Sequence, residues 1–329
     1  MRSIRRFRYG GWILLALICS VLATWRTPPD YQHPAEVDVI ELSPNRSLMA
    51  TRCGDGVLRM WEVGSGRLLW SRDTLHRDRY GNLEGRFAFA PDGRHLALAG
   101  GEPGEVLTLD ANSGTIVEQE SFEELGEVCG VGYSPDGSFR ATLGERGELI
   151  LTSRATQMTE RISLESRPYG PAKIRFSPDG SRLAISGEGF VCLVELKTRE
   201  VRGYPYSPVT PAAVSTSLDL VATPGIDNQV VITDLNTMEA REVLGTAEPP
   251  VRGHEIFCNL SAVAFSADGR FLATSFRGWS VSLWDLESKR RVGGLECRDV
   301  RCIRLLDNNT VVVGRKNGKV EIGEFRSLF

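Results

Sequence analysis

Ser134-Pro135-Asp136-Gly137 and Ser177-Pro178-Asp179-Gly180 are two intact copies of one four-residue block. The block returns as Ala90-Pro91-Asp92-Gly93, Ser266-Ala267-Asp268-Gly269 and Ser43-Pro44-Asn45-Arg46, with worn copies over residues 215–218 and 306–309. The first residues of successive copies are 47, 44, 43, 38, 51 and 40 positions apart. A period of this size marks a repeat architecture, whose units bury their faces only by stacking on one another.

The sequence around the sixth copy shows what each unit contains. Val263-Ala264-Phe265 runs into the Ser-Ala-Asp-Gly turn, and Phe271-Leu272-Ala273-Thr274-Ser275 follows it. A second turn at Arg277-Gly278 leads to Ser280-Val281-Ser282-Leu283-Trp284-Asp285, and the unit closes with Arg290-Arg291-Val292-Gly293-Gly294-Leu295. Four short β-type runs separated by Gly, Asp and Ser read as four strands, here a, b, c and d. Asp-Gly suits the a–b turn because Gly accepts positive φ and Asp bonds local backbone. The other six copies fit the same frame, and seven four-stranded units stacked radially make a propeller.

Strand c ends Trp61-Glu62 in the first copy and Trp284-Asp285 in the sixth. An acid holds the second of these positions in six copies: Glu62, Asp110, Glu195, Asp234, Asp285 and Glu324; Ser153 breaks the series. Gly253-His254 stands ahead of the sixth copy. On these motifs the chain resembles the WD-repeat β-propeller family, in the degenerate form of its divergent bacterial-type members. The resemblance implies a seven-bladed propeller over residues 37–329 and a role in protein–protein interaction. It also implies buried His–Ser/Thr–Asp–Trp tetrads, but no copy carries a full set. The sixth offers His254, Ser275 and Trp284; the first offers Asp55, Thr51 and Trp61; the fifth offers Asp227 alone. Packing and ladder hydrogen bonds are therefore expected to hold the blades. The seventh copy ends after strand c, so its blade is either three-stranded or closed by a short stretch near residues 30–33.

Charged residues make up 25% of the 329 and apolar residues 41%, an ordinary folded composition. A net charge of −3 gives no basic footprint for nucleic acid. Residues 1–26 stand apart. Arg2, Arg5, Arg6 and Arg8 precede an uncharged run from Tyr9 to Trp25, the order of an export signal. Two readings stand: cleavage after Ala23, or an uncleaved single-span helix, a hydrophobic signal-anchor with Trp12 and Trp25 at its interfaces. Both put the amino terminus inside and the propeller outside the cytoplasm, with the membrane as one partner. Residues 27–36 read as a linker or closing strand.

No catalytic, cofactor or metal constellation stands out. The four histidines (His33, His76, His95 and His254) are scattered, and the six cysteines beyond Cys19 show no framework. A Cys258–Cys297 bridge is conceivable, and Gly100-Gly101-Glu102-Pro103-Gly104 reads as a b–c turn before a phosphate cradle. The candidate partner-binding residues lie on three long d–a connections: His76, Arg77, Arg79 and Tyr80 in 71–85, Tyr204 and Tyr206 in 203–211, and Arg252 and Phe257 in 245–258. These connections share one face with the b–c turns. Loops on rigid scaffolds carry binding, and Tyr and Arg dominate interface hot spots. The sequence thus predicts a non-enzymatic scaffold that displays this face to a protein partner and holds no cofactor. The alternative is a lactonase-like enzyme or small-ligand binder using turn carboxylates at the channel mouth.

Overall fold

The computed structural model describes residues 31–74, 86–164, 168, 170–187, 190–205, 212–215, 217, 219–225, 229–245, 260–276 and 278–327. They form seven antiparallel sheets arranged as a seven-bladed propeller. Blade one runs Val37–Leu42, Leu48–Cys53, Val57–Glu62 and Leu68–Asp73, from inner strand a to outer strand d. The hydrophobic helix expected within residues 1–26 lies outside the described residues, which contain no α-helix and a single 3₁₀ turn, Glu123–Leu125.

The apolar residues form seven clusters, and each spans two adjacent blades. Leu143, Leu149 and Leu151 of blade three pack on Ile174, Leu183 and Val194 of blade four. Ala184 and Leu193 meet Val214 and Val221 between blades four and five. A twisted four-stranded sheet has two faces, and the strands alternate their side chains between them. Both faces are buried only when a neighbour stands on each side, so the blades are stable as a ring.

The a–b turns explain the recurring tetrapeptide. Ser134 is buried, donates its hydroxyl to Asp136 Oδ1 (2.6 Å) and accepts the Phe139 amide at Oγ (2.9 Å). Gly137 takes a positive φ of 72° and returns its amide to the Ser134 carbonyl. Ser177 with Asp179 and Ser266 with Asp268 repeat these contacts, and Asn45 replaces the acid beside Ser43. Hydrogen bonds from the serine hydroxyls, with backbone support, hold Asp136 and Asp179 down at about 2.

The ring closes with a two-residue strand. Tyr31–Gln32 pairs with Lys319–Glu324 and serves as strand d of blade seven, so the prolines near it do not leave that blade three-stranded. A further strand, Arg326–Ser327, adds to the outside of blade six and makes that sheet five-stranded. Two connections are shorter than the sequence implies. Residues 71–73 belong to strand d of blade one, where Asp73 pairs with Val57. Residues 203–205 belong to Val201–Pro205, where Tyr204 pairs with Val191. Outer strands face solvent, so their polar composition reads as loop although the ladder continues.

Two outcomes follow from this architecture. Tyr31→Ala removes a fully buried aromatic from the closing strand and is expected to cost about 3–5 kcal/mol in urea unfolding. The aspartates of the turns have folded pKa values below the unfolded one. Their stabilisation is therefore complete above about pH 4 and lost as pH falls toward 2. The double variant Asp136→Asn/Asp179→Asn should show a shallower loss of urea midpoint over that window than the parent.

Candidate functional site

His33 is buried beside Tyr31 at the junction of blades seven and one. Its Nδ1 lies 2.9 Å from the Tyr31 carbonyl and 3.1 Å from the Gly318 carbonyl. Carbonyls only accept, so Nδ1 carries the proton. Nε2 lies 2.7 Å from Thr51 Oγ1, and Thr51 Oγ1 accepts the Trp61 indole N–H at 2.8 Å. Burial lowers the His33 pKa, which favours the neutral ring and makes Thr51 the donor to Nε2. The chain Trp61→Thr51→His33→carbonyl is thus fully directed.

Blade one therefore has a tetrad in which backbone carbonyls stand in for the acid, contrary to the expectation that tetrads play little part. Asp55, the acid the sequence offered, instead binds Arg59 and the Cys53 thiol. The sixth copy needs a different correction. Trp284 donates to Thr274 (3.0 Å) and not to Ser275. Thr51 and Thr274 occupy the same register, two residues beyond the partner of the tryptophan. Ser275 is one place further along and points to the other face.

The central channel carries a second constellation that sequence reasoning missed. Two positions before the first residue of each tetrapeptide, strand a presents Glu41, Ala88, Gly132, Arg175, Ala213, Ala264 and Arg304 in blades one to seven. Glu41 Oε1 accepts Lys173 Nζ at 2.5 Å and Arg304 Nη2 at 3.0 Å. Blades one and four are not ring neighbours, so the Lys173 pair crosses the axis. Burial opposes ionisation of Glu41, but Lys173, Arg304 and Arg175 outweigh it and hold the carboxyl well below the usual range. Aligning the seven copies on this position would have exposed the pattern of three charges among four small residues. Nearer the opposite end of strand a, burial and the adjacent Glu36 push Asp38 up to about 6, against the pull of Arg301.

Several features read from the sequence have different surroundings in the structure. The Gly100–Gly104 amides already hold an anion from the chain itself: Glu105 Oε2 accepts Gly101 N at 2.7 Å and Glu102 N at 3.2 Å. Arg146 of another b–c turn donates to the Glu124 carbonyl at 3.1 Å. Cys297 is a free, buried thiol, as are Cys53, Cys129, Cys192 and Cys302; Cys258 lies outside the described residues. Among the described residues, no group of three His, Cys, Asp or Glu could hold a metal.

The candidate partner residues His76, Arg77, Arg79, Tyr80, Tyr206, Arg252 and Phe257 lie outside the described residues. Tyr204 is placed in the outer strand of blade four and not in a connection. The same face nevertheless shows one anchor that sequence reasoning passed over. Trp279, in the b–c turn of blade six, is 71% exposed. The opposite face has its own apolar rim: Leu68, Ile116, Val117, Phe139 and Met158 are exposed where strands b and d begin in blades one to three.

The fold and the Trp–Thr bonds define a β-propeller built from seven repeated blades. The sequence comparisons name the repeat at one blade: residues 248–285 match the family model for the WD domain, G-beta repeat. Transcription initiation factor TFIID subunit 5 from Caenorhabditis elegans is 24% identical over 204 residues, covering 50% of this chain and 31% of that protein. Eukaryotic translation initiation factor 3 subunit I from Candida albicans is 25% identical over 240 residues, covering 66% and 64% respectively. The Phaeosphaeria nodorum protein of the same name is 27% identical over 138 residues, covering 36% and 40%. The chain thus spans from about a third to just under two thirds of the length of these curated relatives.

These relatives overturn the address read from residues 1–26. They are eukaryotic transcription and translation initiation factor subunits, against a propeller held outside the cytoplasm. No helix among the described residues is long and apolar enough to cross a membrane. Membrane attachment and a bacterial-type assignment have no support in the comparisons.

The buried His33 gives a pH dependence. Its folded pKa lies below the unfolded value of 6.5, so the unfolded chain binds more protons just below that pH. Stability falls as pH drops below about 6.5 and levels off beneath the folded pKa. His33→Phe should flatten this part of the urea-midpoint profile between pH 7.5 and 5 while lowering stability at pH 7.5.

Proposed function

We propose that this chain is a non-enzymatic scaffold that captures a protein partner on the face formed by its b–c turns and d–a connections. The observation that carries the reading is Trp279, a large aromatic exposed on that face of a rigid ring. An indole placed in a fixed turn loses little freedom when a partner covers it, which is how a preformed surface gains affinity. Tryptophan, tyrosine and arginine are the residues that most often dominate such contacts. The longest connections on this face carry Arg79, Tyr80, Arg252 and Phe257. The named relatives are subunits of initiation factors, so an assembly role agrees with what those proteins are called.

The apolar rim on the opposite face supports a second contact surface, and one experiment separates the two. Proximity crosslinking through a carboxy-terminal tag would recover partners of the parent chain and of two variants. Trp279→Ala combined with Arg79→Ala and Tyr80→Ala should reduce capture at least tenfold, with the urea midpoint unchanged. Val117→Ser combined with Met158→Ser should leave that partner bound. The reverse result moves the docking surface to the rim, and full capture by both variants sinks the proposal.

A further inference from the structure

Blade three departs from the others at one buried register. The strand-b residue opposite the tryptophan position of strand c is Met49 in blade one. In blades two and four to seven it is Leu96, Leu183, Val221, Leu272 and Val311. All six are fully buried and face the preceding blade. In blade three the same position holds Arg140, 2% exposed and turned toward blade two. Its guanidinium bonds Glu120 and lies 3.9 Å from Glu118, both on the outer strand of blade two, Ile116–Ser121. Thr152 stands where blades one and six carry Trp61 and Trp284, so Thr142, the counterpart of Thr51, receives no indole N–H. Thr142 Oγ1, Thr152 Oγ1 and Arg140 Nε are buried without a hydrogen-bond partner.

The apolar contribution to this junction is correspondingly small. Its buried cluster is Ala97, Val106, Val128 and Val131, with no side chain larger than valine. The junction of blades seven and one, where the two ends of the chain meet, buries Tyr31, Met49 and Trp61. Burial stabilises in proportion to the apolar area removed from water, so blades two and three gain less from contact. The ion pair does not make up the difference, because desolvating a guanidinium and its carboxylates offsets most of their attraction. Each buried hydroxyl without a partner has also given up a hydrogen bond to water. Separating the two blades returns all of these groups to water and leaves both four-stranded ladders intact. Local opening occurs where the closed form has least to lose. We propose that the ring opens at the junction of blades two and three, ahead of the seam that joins its ends, with Arg140 and Glu120 as the latch. This opening is independent of partner capture on the Trp279 face.

The repeat provides matched probes for each junction. Ala50, Ala97, Ala141, Ala184, Ala222 and Ala273 occupy one register of strand b in blades one to six, and each is buried against the following blade. Val312 holds the same place in blade seven, against blade one. Each is changed singly to cysteine in the full chain, and labelling by a thiol reagent under native conditions is read at that peptide by mass spectrometry. The thiol of Ala97→Cys should react at least tenfold faster than those at the other positions. Its rate should rise further with added sodium chloride, because Glu118 and Glu120 are partly exposed and salt weakens their hold on the guanidinium. Arg140→Leu combined with Glu120→Gln gives blade three the leucine of its counterparts and should bring that rate down to the level of the others. Equal labelling at every junction, or fastest labelling at a junction other than that of blades two and three, would overturn the proposal. So would a rate for Ala97→Cys that Arg140→Leu/Glu120→Gln leaves unchanged, since the opening would then not rest on the buried ion pair.

Discussion

Everything in this molecule depends on closing the ring. Seven apolar clusters each lie between two blades, so an open ring would expose two sheet faces at once. The closing element is only Tyr31–Gln32, and its strength comes from side chains as much as from the ladder. The Tyr31 hydroxyl donates to the Val63 carbonyl at 2.6 Å, and its ring meets Trp61 edge-on at 5.6 Å. His33 extends the same clasp through Thr51 to Trp61. Strand d of blade seven is thereby tied into strands b and c of blade one, and two blades distant in sequence become neighbours. Gly318 completes the junction. It has φ +82° and the His33 carbonyl oxygen 2.2 Å from where a Cβ would stand, so only glycine serves there.

Closure also creates the sites. Strand a of every blade runs along the axis, so its channel-facing positions become a ring only when the seventh blade is in place. Glu41, Lys173 and Arg304 are 132 and 131 residues apart in steps along the chain, yet meet at one carboxylate. The cluster is costly to desolvate, and mutual pairing offsets that cost. The b–c turns and d–a connections are gathered on one face by the same geometry, because antiparallel strands return every second connection to the same side. A rigid ring then presents Trp279 in a fixed place.

Much of the fold was legible because its cause is local. Ser134 and Asp136 bond the turn between them, so the tetrapeptide signals an a–b junction wherever it occurs. The worn copies were still readable through their strands, since alternation survives when a turn residue is lost. The errors arose where a local pattern has two meanings. Ser71–Asp73 and Gly203–Pro205 are polar or turn-like in composition, yet they are strand, because an outer edge faces water. Ser275 was preferred to Thr274 by a single residue, which on a pleated strand reverses the face. The basic and apolar run in residues 1–26 had the order of an export signal, and the eukaryotic initiation-factor relatives contradict the address it implied.

The sequence alone determined the repeat, the number of blades and the strand order within each, since all three rest on contacts between residues close in the chain. Only the tertiary structure decided which strand closes blade seven, where His33 belongs and that Glu41 meets Lys173 across the axis. Those contacts join residues far apart in sequence, and no single blade contains the information. A charge on an inner strand looks like any other polar residue until six other strands surround it and turn its neighbours into a channel.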